Sequence, residues 1–193
     1  GSIGMAYQFS STFFTKLNVS RGFRAPSISE VGANGEHEGA LRYEIGDAGL
    51  KPETSLQFDF ALGMNTEHVS AELSVFNNSI SHFIYTEKLN SVFGGDSIMN
   101  IANPIHTFKF VQGNADLSGG EFTVDVHPHP FHWLHFENSF GYVLAVQQNA
   151  TDSTKYLPFT PAPKFSSELK AEKNKAGQLF RNVYVMVGVD SYF

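Results

Sequence analysis

Four of the eight histidines crowd into one short stretch, as His127, His129, His132 and His135. Imidazole is the commonest metal ligand of proteins, so such spacing raises the question of a zinc-type site. Pro128 and Pro130 make the stretch a turn, however, and residues three apart on a strand, such as His132 and His135, point to opposite faces. With Phe131 and Trp133 beside them, the imidazoles fit better as an amphipathic belt at a water boundary, and no metal site is expected. A second group lies in Asn34 to Asp47, which holds Glu36, His37, Glu38, Arg42, Tyr43, Glu44 and Asp47. Acids, an imidazole and an aromatic ring in one loop can bind a sugar, a peptide or a metal chelate. Two further stretches have the same standing: Glu87 to Asn103, with Asn90, Phe93, Asp96 and Asn100, and Gln147 to Tyr156, with Asp152, Lys155 and Tyr156. Arg21 and Arg24 offer guanidinium forks, either for ion pairs with Glu30 or Glu53 or, for one of them, for an anionic ligand.

Catalytic constellations are missing. Ser, His and Asp never fall in a nucleophile-elbow sequence, and neither a phosphate-cradling glycine loop nor a His-Glu-x-x-His helix occurs. The carboxylates Asp59 and Glu72, on adjacent strands, are the nearest thing to an acid pair. Cysteine is absent, which removes disulfides, thiolate metal sites and thiol nucleophiles. The formal net charge of −6, with only scattered Lys and Arg, speaks against nucleic acid as a partner.

The elements that hold these residues are strands. Aromatics make up 14% of the 193 residues and charged residues only 17%, against roughly 25% charged in an ordinary soluble domain. No apolar run approaches the ~20 residues of a membrane helix. Leu56, Phe58, Phe60, Leu62 and Met64 alternate with Gln57, Asp59, Ala61 and Gly63, which in an extended strand sets an oily row opposite a small or polar one. The alternation recurs and predicts eight strands, at about 3–9, 12–21, 55–65, 68–84, 106–127, 131–146, 162–173 and 178–191. In 106–127 the phase slips between Gln112 and Gly120, and Gly113, Gly119 and Gly120 are natural sites for a bulge. Within the connection Gly22 to Thr54, Pro26 followed by Ser27-Ile28-Ser29-Glu30 predicts one short helical turn capped by Ser27. Short and long connections alternate along the chain, and the strands exceed the usual globular length of about 5–6 residues. Both features suit a transmembrane β-barrel, with short periplasmic turns on one rim and long extracellular loops on the other. The alternative is a soluble all-β module binding carbohydrate or another ligand, with the Phe rows as a sandwich core; the two readings differ in where those rows point.

Leu17 to Pro26 reads LNVSRGFRAP and Leu50 to Glu53 reads LKPE. With QGNADLSGGEFTVDV, the HPHP turn and LPFTPAPKF, these segments resemble the barrel of TonB-dependent outer-membrane receptors, closest to the Bacteroidetes-type branch. The resemblance covers most of the chain. Gly46-Asp47-Ala48-Gly49 stands where the family pattern often has Asn-Pro, a departure that touches only the turn geometry. The resemblance implies an all-β, antiparallel transmembrane barrel of 22 strands enclosing a plug domain; residues 1–193 are expected to supply about eight of the strands and to contain no part of the plug. It implies uptake of a siderophore, metal chelate, vitamin or glycan, with outer-membrane lipid, the protein's own plug, the TonB complex and a surface lipoprotein as partners, no cofactor and no enzymatic activity. Strand parity then places the segment as the twelfth to nineteenth strands. Ligand contacts are expected from Arg24, Glu36, His37, Glu38, Arg42 and Tyr43.

Overall fold

The computed structural model describes residues 1–89, 105–131, 133–148, 155–157, 160–176 and 180–193. Among them the chain forms β1 (Ser2–Gln8), β2 (Phe13–Arg24), α1 (Ile28–Gly32), β3 (Asn34–His37), β4 (Arg42–Ile45), β5 (Glu53–Asn65), β6 (Val69–Lys88), β7 (Thr107–Val126), β8 (Leu134–Gln147), β9 (Lys164–Ala176) and β10 (Phe180–Tyr192). Eight of the ten strands pair in chain order, β1-β2-β5-β6-β7-β8-β9-β10, each antiparallel to its neighbour. They are the eight expected from alternation, with ends shifted by a few residues. Among the described residues the sheet is not closed, and its first and last strands, β1 and β10, each have a partner on one side only.

Register shows why one face is oily. Leu17 pairs with Phe60, Phe60 with Val75, Val75 with Gly120 and Gly120 with Tyr142, so these side chains share a face. One rung nearer the short turns, Leu62, Leu73, Phe122, Phe140 and Phe165 line up in the same way. The rows lie open rather than under a second layer: Phe58 is 51% exposed and Leu73 47%. The sandwich alternative needs them covered, and among the described residues nothing covers them. Along β7 the outward band runs from Val126 to Ser118 and turns polar at Asp116, which accepts from the Ser79 hydroxyl at 2.7 Å. About ten residues at roughly 3.3 Å each, tilted near 45°, span about 23 Å, the height of the lipid-facing band of an outer-membrane barrel. At its periplasmic edge, Phe131 meets Trp133 edge-on at 5.8 Å, and Phe9 stacks on Phe13 at 6.1 Å, as an aromatic girdle requires.

The inward face is polar and internally bonded. Asn18 Nδ2 donates to Asp59 Oδ2 at 2.9 Å, Gln57 Nε2 donates to Asp59 Oδ1 at 2.6 Å, and Lys16 pairs with Glu72 at 2.8 Å. Two bare glycines on this face are roofed by aromatics from the next strand. Phe14 lies across Gly63, where a Cβ would run into its ring, and Phe76 covers Gly119.

The bulge falls on a different strand from the one expected. Ile80 pairs with Ala115 and Phe83 with Gly113, so Ser81 and His82 of β6 together face the single Asn114. His82 takes a φ of 58°. The strand β7 keeps one phase throughout. Its apparent slip arises because Ala115 and Leu117 face inward above the membrane band, where Ala115, Ala145 and Leu157 pack with Phe83 as a small core beneath the loops.

Candidate functional site

The connection from β2 to β5 is built on Arg24. Its guanidinium donates through Nε and Nη2 to both Glu53 oxygens, at 2.7 and 2.8 Å, and through Nη1 to both Glu30 oxygens, at 3.0 and 2.9 Å. Glu53 Oε1 also accepts from Ile84 N at 2.7 Å, just beyond the bulge, so β2, α1, β5 and β6 meet at one cation. The helical turn α1 closes the capping box expected from its sequence: Glu30 N donates to Ser27 Oγ, and Ser27 N donates to Glu30 Oε2 at 2.6 Å. Burial alone would raise the Glu30 carboxyl, but hydrogen bonds from Arg24 and Ser27 outweigh it and hold the group below the usual carboxylate range.

The rest of the loop is a β3–β4 hairpin that alternation did not reveal, because each strand is four residues long. Glu36 pairs with Tyr43 and His37 with Arg42. The β4 strand then runs parallel to the start of β7, with Tyr43 opposite Thr107 and Tyr43 N donating to His106 O at 2.9 Å. Arg42 bonds the buried Glu44 at 2.7 Å and lies 5.0 Å over the Phe108 ring. The Tyr43 hydroxyl donates to Asn34 Oδ1 at 3.0 Å. His37 Nδ1 accepts from Ala40 N at 3.2 Å, which leaves Nε2 as the ring's donor. In the turn that departs from the family pattern, Asp47 Oδ1 accepts from Gly49 N at 2.8 Å, an Asx-turn in place of Asn-Pro. That bond, with Lys109 3.5 Å away, lowers the Asp47 carboxyl.

The six expected ligand contacts therefore fall into two groups. Arg24, Arg42 and Tyr43 are engaged within the protein, while Glu36, His37 and Glu38 stand exposed at the hairpin tip. Arg21 sits on the outward face and takes no part in the Arg24 cluster. Of the other two long connections, Asn90, Phe93, Asp96, Asn100 and Asp152 lie outside the described residues. Lys155 Nζ sits 5.7 Å from the centre of the Tyr156 ring. Asp59 and Glu72 are not an acid pair: Asp59 faces Phe76 and Glu72 faces Gly63, four residues along β5. Of the clustered histidines, His132 lies outside the described residues and His129 meets His68 edge-on at 5.9 Å. His127 and His135 converge on Asp125. The opposite-faces argument concerned His132 and His135, whereas the approach across the hairpin joins His127 to His135. Knowing that Val126 pairs with Phe136 would have revealed it.

An open antiparallel wall, oily outside and polar inside, with short turns at one rim and long loops at the other, defines part of an outer-membrane β-barrel. The family described as "TonB dependent receptor-like, beta-barrel" matches residues 1–186, and the chain belongs to it. Members of this family are transporters of the Gram-negative outer membrane, not enzymes. Among solved structures, the fold is similar to the "Copper transporter OprC" (TM-score 0.66, 16% identity), covering 89% of this chain and 23% of that one. It is also similar to the siderophore receptor PirA from Acinetobacter baumannii (0.58, 18%; 88% and 26%) and to the FrpB iron transporter from Neisseria meningitidis (0.54, 14%; 98% and 30%). The chain thus spans about a quarter of the length of these receptors.

Proposed function

We propose that the whole protein captures a scarce solute at the cell surface and imports it across the outer membrane with energy delivered through TonB, this chain supplying barrel wall and extracellular loops. The observation that carries this reading is the pairing of lipid-facing and lumen-facing rows with a tip that projects free donors and acceptors, Glu36, His37 and Glu38, beyond the rim. Arg24, Arg42 and Tyr43 hold that tip in place. Two carboxylates and an imidazole donor suit a polyhydroxylated or cationic ligand, such as a glycan or a metal chelate, better than a strongly anionic one. The Bacteroidetes-type affinity, and with it a surface lipoprotein partner, rests on the HPHP turn.

The test is uptake by cells carrying the full-length receptor, supplied with ferric siderophores, cobalamin or glycans as the limiting nutrient. Growth on one of them should require TonB and fall sharply in the combined Glu36→Ala, His37→Ala, Glu38→Ala variant while surface display is unchanged. Growth that is indifferent to TonB on every nutrient tried would overturn the transport reading.

A further inference from the structure

We propose that Asp125, His127 and His135 form a binding site for a divalent transition-metal cation of the zinc class, on the lumen wall at the periplasmic end of the barrel. Val126 pairs with Phe136 and Asp125 with Glu137, so His127 extends β7 to a point opposite His135, with Asp125 beside both on the inward face. One ligand atom from each of the three lies within 4.8 Å of the others. His135 Nδ1 is hydrogen-bonded to Asp125 Oδ2 at 3.0 Å, and His127 Nδ1 is 3.3 Å from the same oxygen without hydrogen-bond alignment. Donors bound tetrahedrally to zinc at about 2.0–2.1 Å stand roughly 3.3 Å apart, so an ion could replace the proton shared here with little movement of the side chains.

Two unmet needs point to a ligand. His127 Nδ1 and Asp125 Oδ1 are both shut off from solvent without a hydrogen-bond partner. Leaving such atoms bare is costly; a cation on Asp125 Oδ2 would satisfy His127 Nδ1, and one gripped by both Asp125 oxygens would satisfy Oδ1 as well. Glu172 stands 3.9 Å from His135 Nε2, on the side from which a carboxylate orients a metal-bound imidazole but beyond hydrogen-bond reach, and Lys170 holds it at 2.8 Å. Two imidazoles and one carboxylate select a borderline cation such as Zn²⁺ over Ca²⁺ or Mg²⁺, and three protein ligands leave a fourth position for water. Asp125 also lines a groove of about 460 Å³ whose wall carries Glu121, Glu137 and Glu168, carboxylates that favour cations near the site. The inference is independent of which solute the receptor imports.

The experiment uses the full-length receptor, purified in detergent and stripped with a chelator. ZnCl₂ is titrated calorimetrically, and CoCl₂ is added in parallel to read the visible absorption of a four-coordinate cobalt site. Wild type should bind one more equivalent of zinc than His135→Ala or His127→Asn, or bind that equivalent at least about tenfold more tightly. Each variant should lose the cobalt band, while His106→Gln, remote from the site, keeps both signals. Heat-modifiable gel migration reports whether each barrel is folded. His127 lies in the turn beyond β7, so its variant keeps the test open should His135→Ala misfold. Equal zinc stoichiometry and affinity in wild type and in the folded variants would overturn the proposal, as would equal loss in His106→Gln.

Discussion

At the scale of single residues, Arg24 is the keystone of the rim, because one guanidinium satisfies two carboxylates from different elements. Arg24→Ala leaves Glu30 and Glu53 facing each other across a half-exposed site, so the cost to global stability is on the order of 1 kcal/mol. The local effect is larger: limited proteolysis of the full-length receptor should cut within residues 25–52 much faster than in wild type. Glu30 adds a pH dependence. Its folded-state carboxyl is held below the ordinary value of 4.5, so its contribution is complete above that value and is lost as pH falls through the lower, folded one. A spin label at Ile28, which is 90% exposed, should keep its restricted motion down to about that pH and loosen only in stronger acid. The arginine pairing and the capping box were legible in the sequence because each depends on near neighbours or on a short list of partners. The inward engagement of Arg42 was not, since Glu44 and Phe108 become its partners only once β4 lies on β7.

At the scale of elements, Phe14 and Gly63 act as one unit across β2 and β5. Gly63→Ala forces the ring off its seat and should destabilise the barrel by about 1–3 kcal/mol, whereas Phe14→Ala combined with Gly63→Ala should recover part of that loss. Urea midpoints of the folded receptor in detergent, measured as a double-mutant cycle, check this. Gly46 is equally constrained, because a Cβ there would lie 2.7 Å from the Ala33 and Gly32 amide nitrogens. The wall strands were readable because a period of two persists over seven or more residues. The β3 and β4 strands are too short to show it, and the bulge at Ser81–His82 carries none of the glycines that would mark it. The sequence directed attention to glycines on β7, while the positive φ fell on a histidine of β6.

At the scale of the whole molecule, the two faces of the sheet meet different solvents, and the same kind of substitution should separate them. Phe58→Arg places a charge on the lipid face and should cost about 2–4 kcal/mol, while Gln57→Arg, next to it on the lumen side, should cost far less. Folding yield into vesicles, followed by gel migration, reads the difference. Equal penalties would mean that the faces are wrongly assigned. The loop between β2 and β5 does not simply turn back at the rim: it passes β5 and β6 and pairs with β7, joining Tyr43 to Thr107. That contact closes a chain segment of about 60 residues, and until β7 stands in the wall the β3–β4 hairpin has nothing beyond itself to pair with. Docking of the hairpin therefore has to follow the placement of β7. The mouth is thus assembled only after part of the wall, so newly inserted receptors should pass through an interval in which β2 to β7 are paired but ligand does not yet bind.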